Sequence, residues 1–210
     1  MTDAQVLKKR RIGIMGGTFD PIHFGHLVVA EEAYSALRLE EVFFVPTGSP
    51  PHKAKTRVSM PEDRYTMTLL ATLDNPHFRL SRIEIDRGGS SHTVDTIREM
   101  YHWYPPASVE FFFITGMDAV LDILSWKEPF ALSRICRIVA AGRPGYSTSA
   151  LDDLPPEIRE AIVPLEIPLL AISSTEIRER VATGKSIRYL IPWPVEHFIH
   201  KKALYVRHGR

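Results

Sequence analysis

A single cysteine, Cys136, is all the chain has. No internal disulfide can form, so the fold must stand on its core, as in proteins of a reducing compartment. That cysteine lies in the apolar stretch Ile135-Cys136-Arg137-Ile138-Val139, which predicts a buried strand residue and not a reactive thiol. No apolar run is long enough to span a bilayer, and the opening MTDAQVLKKRR lacks the apolar centre of a secretory signal. The expectation is a cytoplasmic protein with no membrane partner. An excess of one charge is missing as well: 26 Lys and Arg face 25 Asp and Glu, a formal net charge of +1. That balance speaks against a dedicated nucleic-acid binder. The one basic run, Lys8-Lys9-Arg10-Arg11, reads as a solvated lead-in to the first strand. Internal repeats and low-complexity tracts are absent too.

What is present suffices for a substantial core: 210 residues, 44% of them hydrophobic. Strand-like and helix-like runs alternate, the mark of βαβ units and a parallel sheet. Strands are expected at 12–15, 41–46, 109–114 and 135–140, with an extended segment at 78–86. Helices are expected from the turn that carries His23 and His26 through Ala33, from Pro61, and at 93–103, 174–182 and 194–203. The stretch 154–167 accommodates a short helix and a short strand, and 47–60 and 142–153 are too rich in Gly, Pro and Ser for either. The fold class is therefore α/β: a Rossmann-like, doubly wound parallel sheet with helices on both faces and a small C-terminal helical part. Residues 1–10 are expected to be a flexible lead-in to a single domain, 11–210, whose helical subregion covers about 172–205.

The chemistry is concentrated in Ile12 to Leu27, IGIMGGTFDPIHFGHL. The apolar run Ile12-Gly13-Ile14-Met15 predicts a buried strand, and Gly16-Gly17 a sharp turn that lets backbone lie against a ligand. His23-Phe24-Gly25-His26 then runs into a good helix former. A helix start offers unpaired N–H groups and a positive dipole end to phosphate. His23 and His26, three apart, share one helix face and aim at the same ligand. Gly116-Met117-Asp118 follows a central strand, so GGTFDP and TGMD should meet at the carboxyl edge of the sheet.

A second grip is expected at Ser173-Ser174-Thr175-Glu176-Ile177-Arg178. Ser173 and Glu176 fit a capping box. The hydroxyls of Ser174 and Thr175, the free amides and the Arg178 fork can converge on one anion. Taken alone this is also an ordinary capped helix; in one chain with the opening motif it favours phosphate. Other patterns fail on spacing. Gly184-Lys185-Ser186 lacks the earlier glycine of a P-loop, because position 179 is Glu179. GGTFDP lacks the split glycines of a dinucleotide-binding turn. Neither His23 with His26 nor His197 with His200 has the further ligands of a zinc site.

GGTFDPIHFGH with a distal ISSTEIR resembles the nucleotidyltransferase superfamily, whose members carry HxGH early and ISSTxxR late. Pro50-Pro51-His52-Lys53, Ser91-His92-Thr93-Val94-Asp95-Thr96, Gly116-Met117-Asp118, Trp126, Arg143-Pro144-Gly145-Tyr146 and Ile187-Arg188-Tyr189-Leu190-Ile191-Pro192 narrow it. This ordered set, from Arg11 to Tyr205, is similar to the bacterial nicotinate-nucleotide adenylyltransferases. His92 stands where that family more often has an aromatic residue.

The resemblance implies adenylyl transfer from ATP to nicotinate mononucleotide, giving nicotinic acid adenine dinucleotide and pyrophosphate. The attacking group is a phosphate, already anionic, so no general base or covalent nucleophile is needed. Catalysis should come from positioning and charge stabilisation. The implied roles are as follows. Gly16, Gly17, Thr18 and Phe19 admit the nucleotides, with Gly116 and Asp118 on the ATP side. His26 donates to the α-phosphate and His23 assists along the triphosphate. Ser174, Thr175 and Arg178 hold the β- and γ-phosphates. His52, Lys53, Thr93, Asp118, Trp126 and Arg143 receive the mononucleotide, Trp126 as a stacking face and Lys53 and Arg143 as positive charge. Mg²⁺ would bridge phosphates through water, with no protein carboxylate cage. The same residues leave room for a homo-oligomer and for three rivals. These are an adenylyltransferase acting on phosphopantetheine, one preferring nicotinamide mononucleotide, and a nucleotide-binding regulator without catalysis.

Overall fold

The computed structural model describes residues 9–49, 58–142, 148–168 and 170–206, and among these six parallel strands form one sheet. They are β1 (Arg10–Gly17), β2 (Glu41–Pro46), β3 (Phe78–Leu80), β4 (Val109–Gly116), β5 (Arg137–Gly142) and β6 (Ile162–Glu166). Their order is β3-β2-β1-β4-β5-β6. The chain lays β2 and β3 on one side of β1, then returns to place β4 on the other, with Met15 beside Ile114. At such a reversal the connections leave to opposite faces and open a crevice beyond the strands' carboxyl ends. The helices are α1 (Phe24–Ala36), α2 (Pro61–Thr72), α3 (Ile83–Arg87), α4 (Thr93–Met100), α5 (Met117–Leu121), α6 (Pro129–Ile135), α7 (Pro156–Arg159), α8 (Ser174–Ala182) and α9 (Trp193–Lys201).

β4 shows why the sheet is covered on both sides. Phe111 and Phe113 join one apolar layer with Val94 and Ile97 of α4, Val120 of α5 and Leu132 of α6. Phe112 and Ile114 point the other way, among Ala30 and Ala33 of α1, Met67 of α2, Ile177 of α8 and Ile199 of α9. A strand buried on both faces is a continuous apolar run, as Phe111 to Ile114 is. The doubly wound reading therefore holds, and no helix among the described residues is long and apolar enough to cross a membrane.

Several local expectations are corrected. The segment 78–86 is not extended throughout. β3 ends at Leu80, and α3 follows, closed by the bond from the Asp86 N–H to the Arg82 carbonyl at 2.8 Å. The Arg82–Asp86 ion pair at 3.1 Å has helical i, i+4 spacing, which overrides the alternation of apolar and polar residues. Cys136 is not in a strand; it caps α6, a helix that sequence reasoning missed, and β5 starts one residue later. It is buried, and burial pushes its thiol up to about 12, so it is inert. Arg10 belongs to β1, where it pairs with Glu40 at 2.8 Å and Glu41 at 2.9 Å.

Candidate active site

Gly16 and Gly17 do not make the turn expected of them. They are the last residues of β1, in register with Val45 and Pro46 of β2. Their lack of a side chain serves packing instead: a Cβ on Gly17 would lie 2.8 Å from the Phe19 ring, and one on Gly16 3.1 Å from the Phe113 ring. The turn comes at Thr18 to Pro21, with Phe19 at φ 49° and buried.

That turn delivers the chain to α1, whose N-cap is His23. The His23 and His26 rings lie 3.8 Å apart between centroids, on the same first turn. Nδ1 of His26 accepts the backbone N–H of His23 at 3.2 Å. A neutral His26 therefore carries its proton on Nε2, where the ring is a donor. Phe19 holds the ring edge-on at 5.1 Å. His23 is buried, its Nδ1 has no hydrogen-bond partner, and burial lowers its pKa from 6.5 to about 4. It is thus neutral at physiological pH. Gly25 makes room for it, since a Cβ there would come within 2.9 Å of His23 Nδ1.

His23 also makes stability depend on pH with a definite sign. Between pH 6.5 and about 4 the unfolded chain binds a proton that the folded chain refuses. The penalty for refusing that proton is therefore absent above pH 6.5, and stability is lost as pH falls towards 4. Melting temperatures of wild type and His23→Asn, measured across that range, should diverge: the variant loses less on acidification. Parallel curves would mean that His23 is protonated without penalty. The comparison is made against wild type because Glu84, a carboxyl raised by burial, titrates with the opposite sign in both proteins.

The two motifs converge on the Asp20–Pro21 turn. α8 begins at Ser174, and its N-cap Ser173 accepts from the Glu176 N–H at 3.1 Å, one half of the expected box. The other half is absent because the Glu176 carboxylate pairs with Arg180 at 3.0 Å. Ser174 Oγ donates to the Pro21 carbonyl at 2.8 Å. Arg178 donates to the Asp20 carbonyl at 2.7 Å and to Thr175 Oγ1 at 3.2 Å. Ser174 is therefore a tie between motifs, with its proton already engaged, and Arg178 keeps only part of its fork for a ligand.

Sequence reasoning missed three residues that shape the site. Arg64 of α2, 1% exposed, donates to the carbonyls of Thr18 (2.8 Å), Ser59 (3.1 Å) and Gly48 (3.1 Å). Asp20 is buried, and its carboxylate accepts from the Ser59 N–H at 3.2 Å and the Tyr205 hydroxyl at 2.6 Å. Glu84 of α3 is buried beside Thr96, whose hydroxyl donates to it at 2.6 Å. The one sequence signal was a charged residue inside an apolar helical pattern, which usually means a solvated side chain.

A cleft of about 410 Å³ is lined by Gly16, Gly17, Thr18, Thr93 and Trp126, with Glu84 at its wall. Trp126 is half-buried, edge-on to Phe113 at 5.9 Å between centroids. Gly116 and Asp118 lie exposed at the end of β4 and the start of α5, where nothing stands within 4 Å of a Cβ on Gly116. A second cavity, about 540 Å³, is bordered by Ser59, Asp63, Thr175, Arg178 and Tyr205. His52, Lys53 and Arg143 lie outside the described residues.

With the geometry in place, similarity to known proteins narrows the chemistry. The profile of the cytidylyltransferase-like family matches residues 14–180. A protein of Moorella thermoacetica named "Probable nicotinate-nucleotide adenylyltransferase" is 52% identical over 204 residues, covering 95% of this chain and 94% of its own. One of the same name from Thermoanaerobacter is 50% identical over 202 residues, covering 94% and 95%. A solved structure, the nicotinic acid mononucleotide adenylyltransferase of Plasmodium falciparum complexed with NaAD, superposes with a TM-score of 0.76 over 93% of this chain and 97% of that one. At 22% identity that likeness shows a shared fold.

Proposed function

The chain belongs to the nicotinate-nucleotide adenylyltransferases of the cytidylyltransferase-like family, and we propose from its geometry how it performs their reaction. The enzyme transfers the adenylyl group of ATP to nicotinate mononucleotide, giving nicotinic acid adenine dinucleotide and pyrophosphate in NAD biosynthesis. One observation carries our reading of the site: α1 and α8, 150 residues apart in the chain (174 − 24), are fastened to the same turn through Ser174–Pro21 and Arg178–Asp20. Both motifs therefore address one triphosphate.

In this mechanism the mononucleotide enters the cleft between Thr93, Trp126 and the end of β1, its ring against Trp126 and its phosphate towards α1. An oxygen of that phosphate attacks the α-phosphorus of ATP in line. The new P–O bond forms as the bond to the β-phosphate oxygen breaks, and pyrophosphate departs with the electron pair. His26 donates from Nε2 to the α-phosphate, where charge shifts as the bonds exchange. His23, kept neutral by burial, supports it by packing and, on turning, by donating along the triphosphate. Thr175 and Arg178 steady the β- and γ-phosphates and the leaving pyrophosphate. The site's donors are imidazole, hydroxyl, amide and guanidinium groups, which suit an anion; a Mg²⁺ ion would be held by the ATP phosphates and not by a cluster of protein side chains, and would supply further positive charge to the triphosphate. Lys53 and Arg143 supply positive charge for the mononucleotide, His52 belongs to the same receiving set, and the setting is the cytoplasm.

Pyrophosphate release, measured with ATP, Mg²⁺ and either mononucleotide, tests the reading. kcat/KM for the acid should exceed that for the amide by about tenfold or more, as a site built for the carboxylate requires. An equal or better value for the amide would overturn the substrate assignment. ATP binding without release would make the chain a sensor.

A further inference from the structure

Tyr205 lies 185 residues from Asp20, and no part of the mechanism above uses it. Its backbone sits at φ 64°, in the left-handed region, and Ala203 sits at φ 49° two residues earlier. Bulky side chains rarely occupy that region, and where they do the surrounding structure holds them there for a reason, commonly at a working site. Here the result is a short bond: the Tyr205 hydroxyl donates to Asp20 Oδ1 at 2.6 Å. Asp20 Oδ2 accepts from the Ser59 N–H, and the Asp20 carbonyl accepts from Arg178. Both carboxylate oxygens of a residue 3% exposed are thus occupied by donors of other elements. Those two donors hold the carboxylate in its present orientation, with the Arg178 guanidinium on the Asp20 carbonyl.

We propose that Tyr205 is a positioning residue for the reaction: by holding the Asp20 carboxylate, it leaves Arg178 on the Asp20 carbonyl with the rest of its fork directed at the triphosphate. The inference rests on the role given to Arg178 above. The end of α9 supplies the brace. Lys202 pairs with Asp63 of α2 at 3.3 Å, and the Tyr205 oxygen lies 3.8 Å from the Met67 sulfur of the same helix. The last turn of the described chain and α2 thereby grip Asp20 together.

Tyr205→Phe keeps the ring and removes only the donor. A buried carboxylate short of one partner then turns to the nearest cation, and Arg178 and Arg64 are the candidates. KM for ATP and the inhibition constant of inorganic pyrophosphate should each rise about tenfold, the scale of one hydrogen bond to a charged group. KM for nicotinate mononucleotide should stay within about twofold, and the melting temperature within a few degrees. Loss of affinity for both substrates alike, or for neither, overturns the proposal. Arg178→Ala separates the two levels. If it leaves ATP and pyrophosphate affinity intact, the reading of Arg178 is wrong, and the role of Tyr205 falls with it. If Arg178→Ala weakens both while Tyr205→Phe does not, the positioning role alone is wrong. In the double variant, Tyr205→Phe should add nothing to the Arg178→Ala defect, because it acts through that guanidinium.

Discussion

His26→Ala should lower kcat by about 10²–10³-fold, the usual scale for removing one transition-state donor. The expectation follows from how the ring is held. The backbone N–H of His23 fixes Nδ1 as the acceptor, the His23 ring lies against one face, and Phe19 meets the ring edge-on. Nε2 is therefore a donor whose direction is set before ATP arrives, and no reorganisation is required as the α-phosphate changes. KM for ATP should move far less than kcat, since the interaction strengthens only as the bonds exchange. Pyrophosphate release under saturating ATP and mononucleotide gives both constants. Turnover within a few-fold of wild type, with ATP still bound, would remove His26 from the mechanism.

Arg64→Ala should be the most damaging change to the fold. This side chain lies beneath the site and joins the loop after β1, the loop after β2 and the entry to α2 through the carbonyls of Thr18, Gly48 and Ser59. Truncation strands three buried acceptors and leaves Asp20 with less positive charge nearby. Unmade buried hydrogen bonds cost about 1–3 kcal/mol each and are not additive, so a total loss of about 3–4 kcal/mol is expected. For a chain of this length that is a fall of about 10 °C in melting temperature. Arg64→Lys should recover little, because an ammonium cannot span three acceptors as a planar fork does. A thermal melt within about 3 °C of wild type would show that water replaces the guanidinium there.

Much of this was legible from residue order, and the reasons differ from place to place. α8 starts and stops where Ser173 and the pattern after it say it should, because an N-cap is a local interaction between residues three apart. The pairing of His23 with His26 is likewise local, set by the pitch of one helical turn. The meeting of GGTFDP with TGMD followed from a topological rule about parallel sheets, and β1 beside β4 obeys it. Local readings failed where a distant neighbour decided the outcome. Gly16 and Gly17 remain in β1 because β2 pairs with them, and a Cβ on either would crowd the Phe113 or Phe19 ring. Gly48 is held for a similar reason, since a Cβ there would run into the carbonyl of Glu84.

The amino-acid order by itself determined the α/β class and the places of the HxGH and ISSTEIR motifs, because each depends on residue type, short-range spacing or alternation; the expectation that no base or thiol is needed came from the reaction that the family resemblance implies. Only the tertiary structure decided that Ser174 ties one motif to the other, that Arg178 shares its donors with Asp20, that Arg64 and Glu84 are buried, and that Tyr205 reaches the buried Asp20 carboxylate. A charged or phenolic group reads as a surface residue in any local window. Its buried partners are carbonyls and carboxylates contributed by chain tens to hundreds of residues away, and nothing short of folding brings them within hydrogen-bond distance.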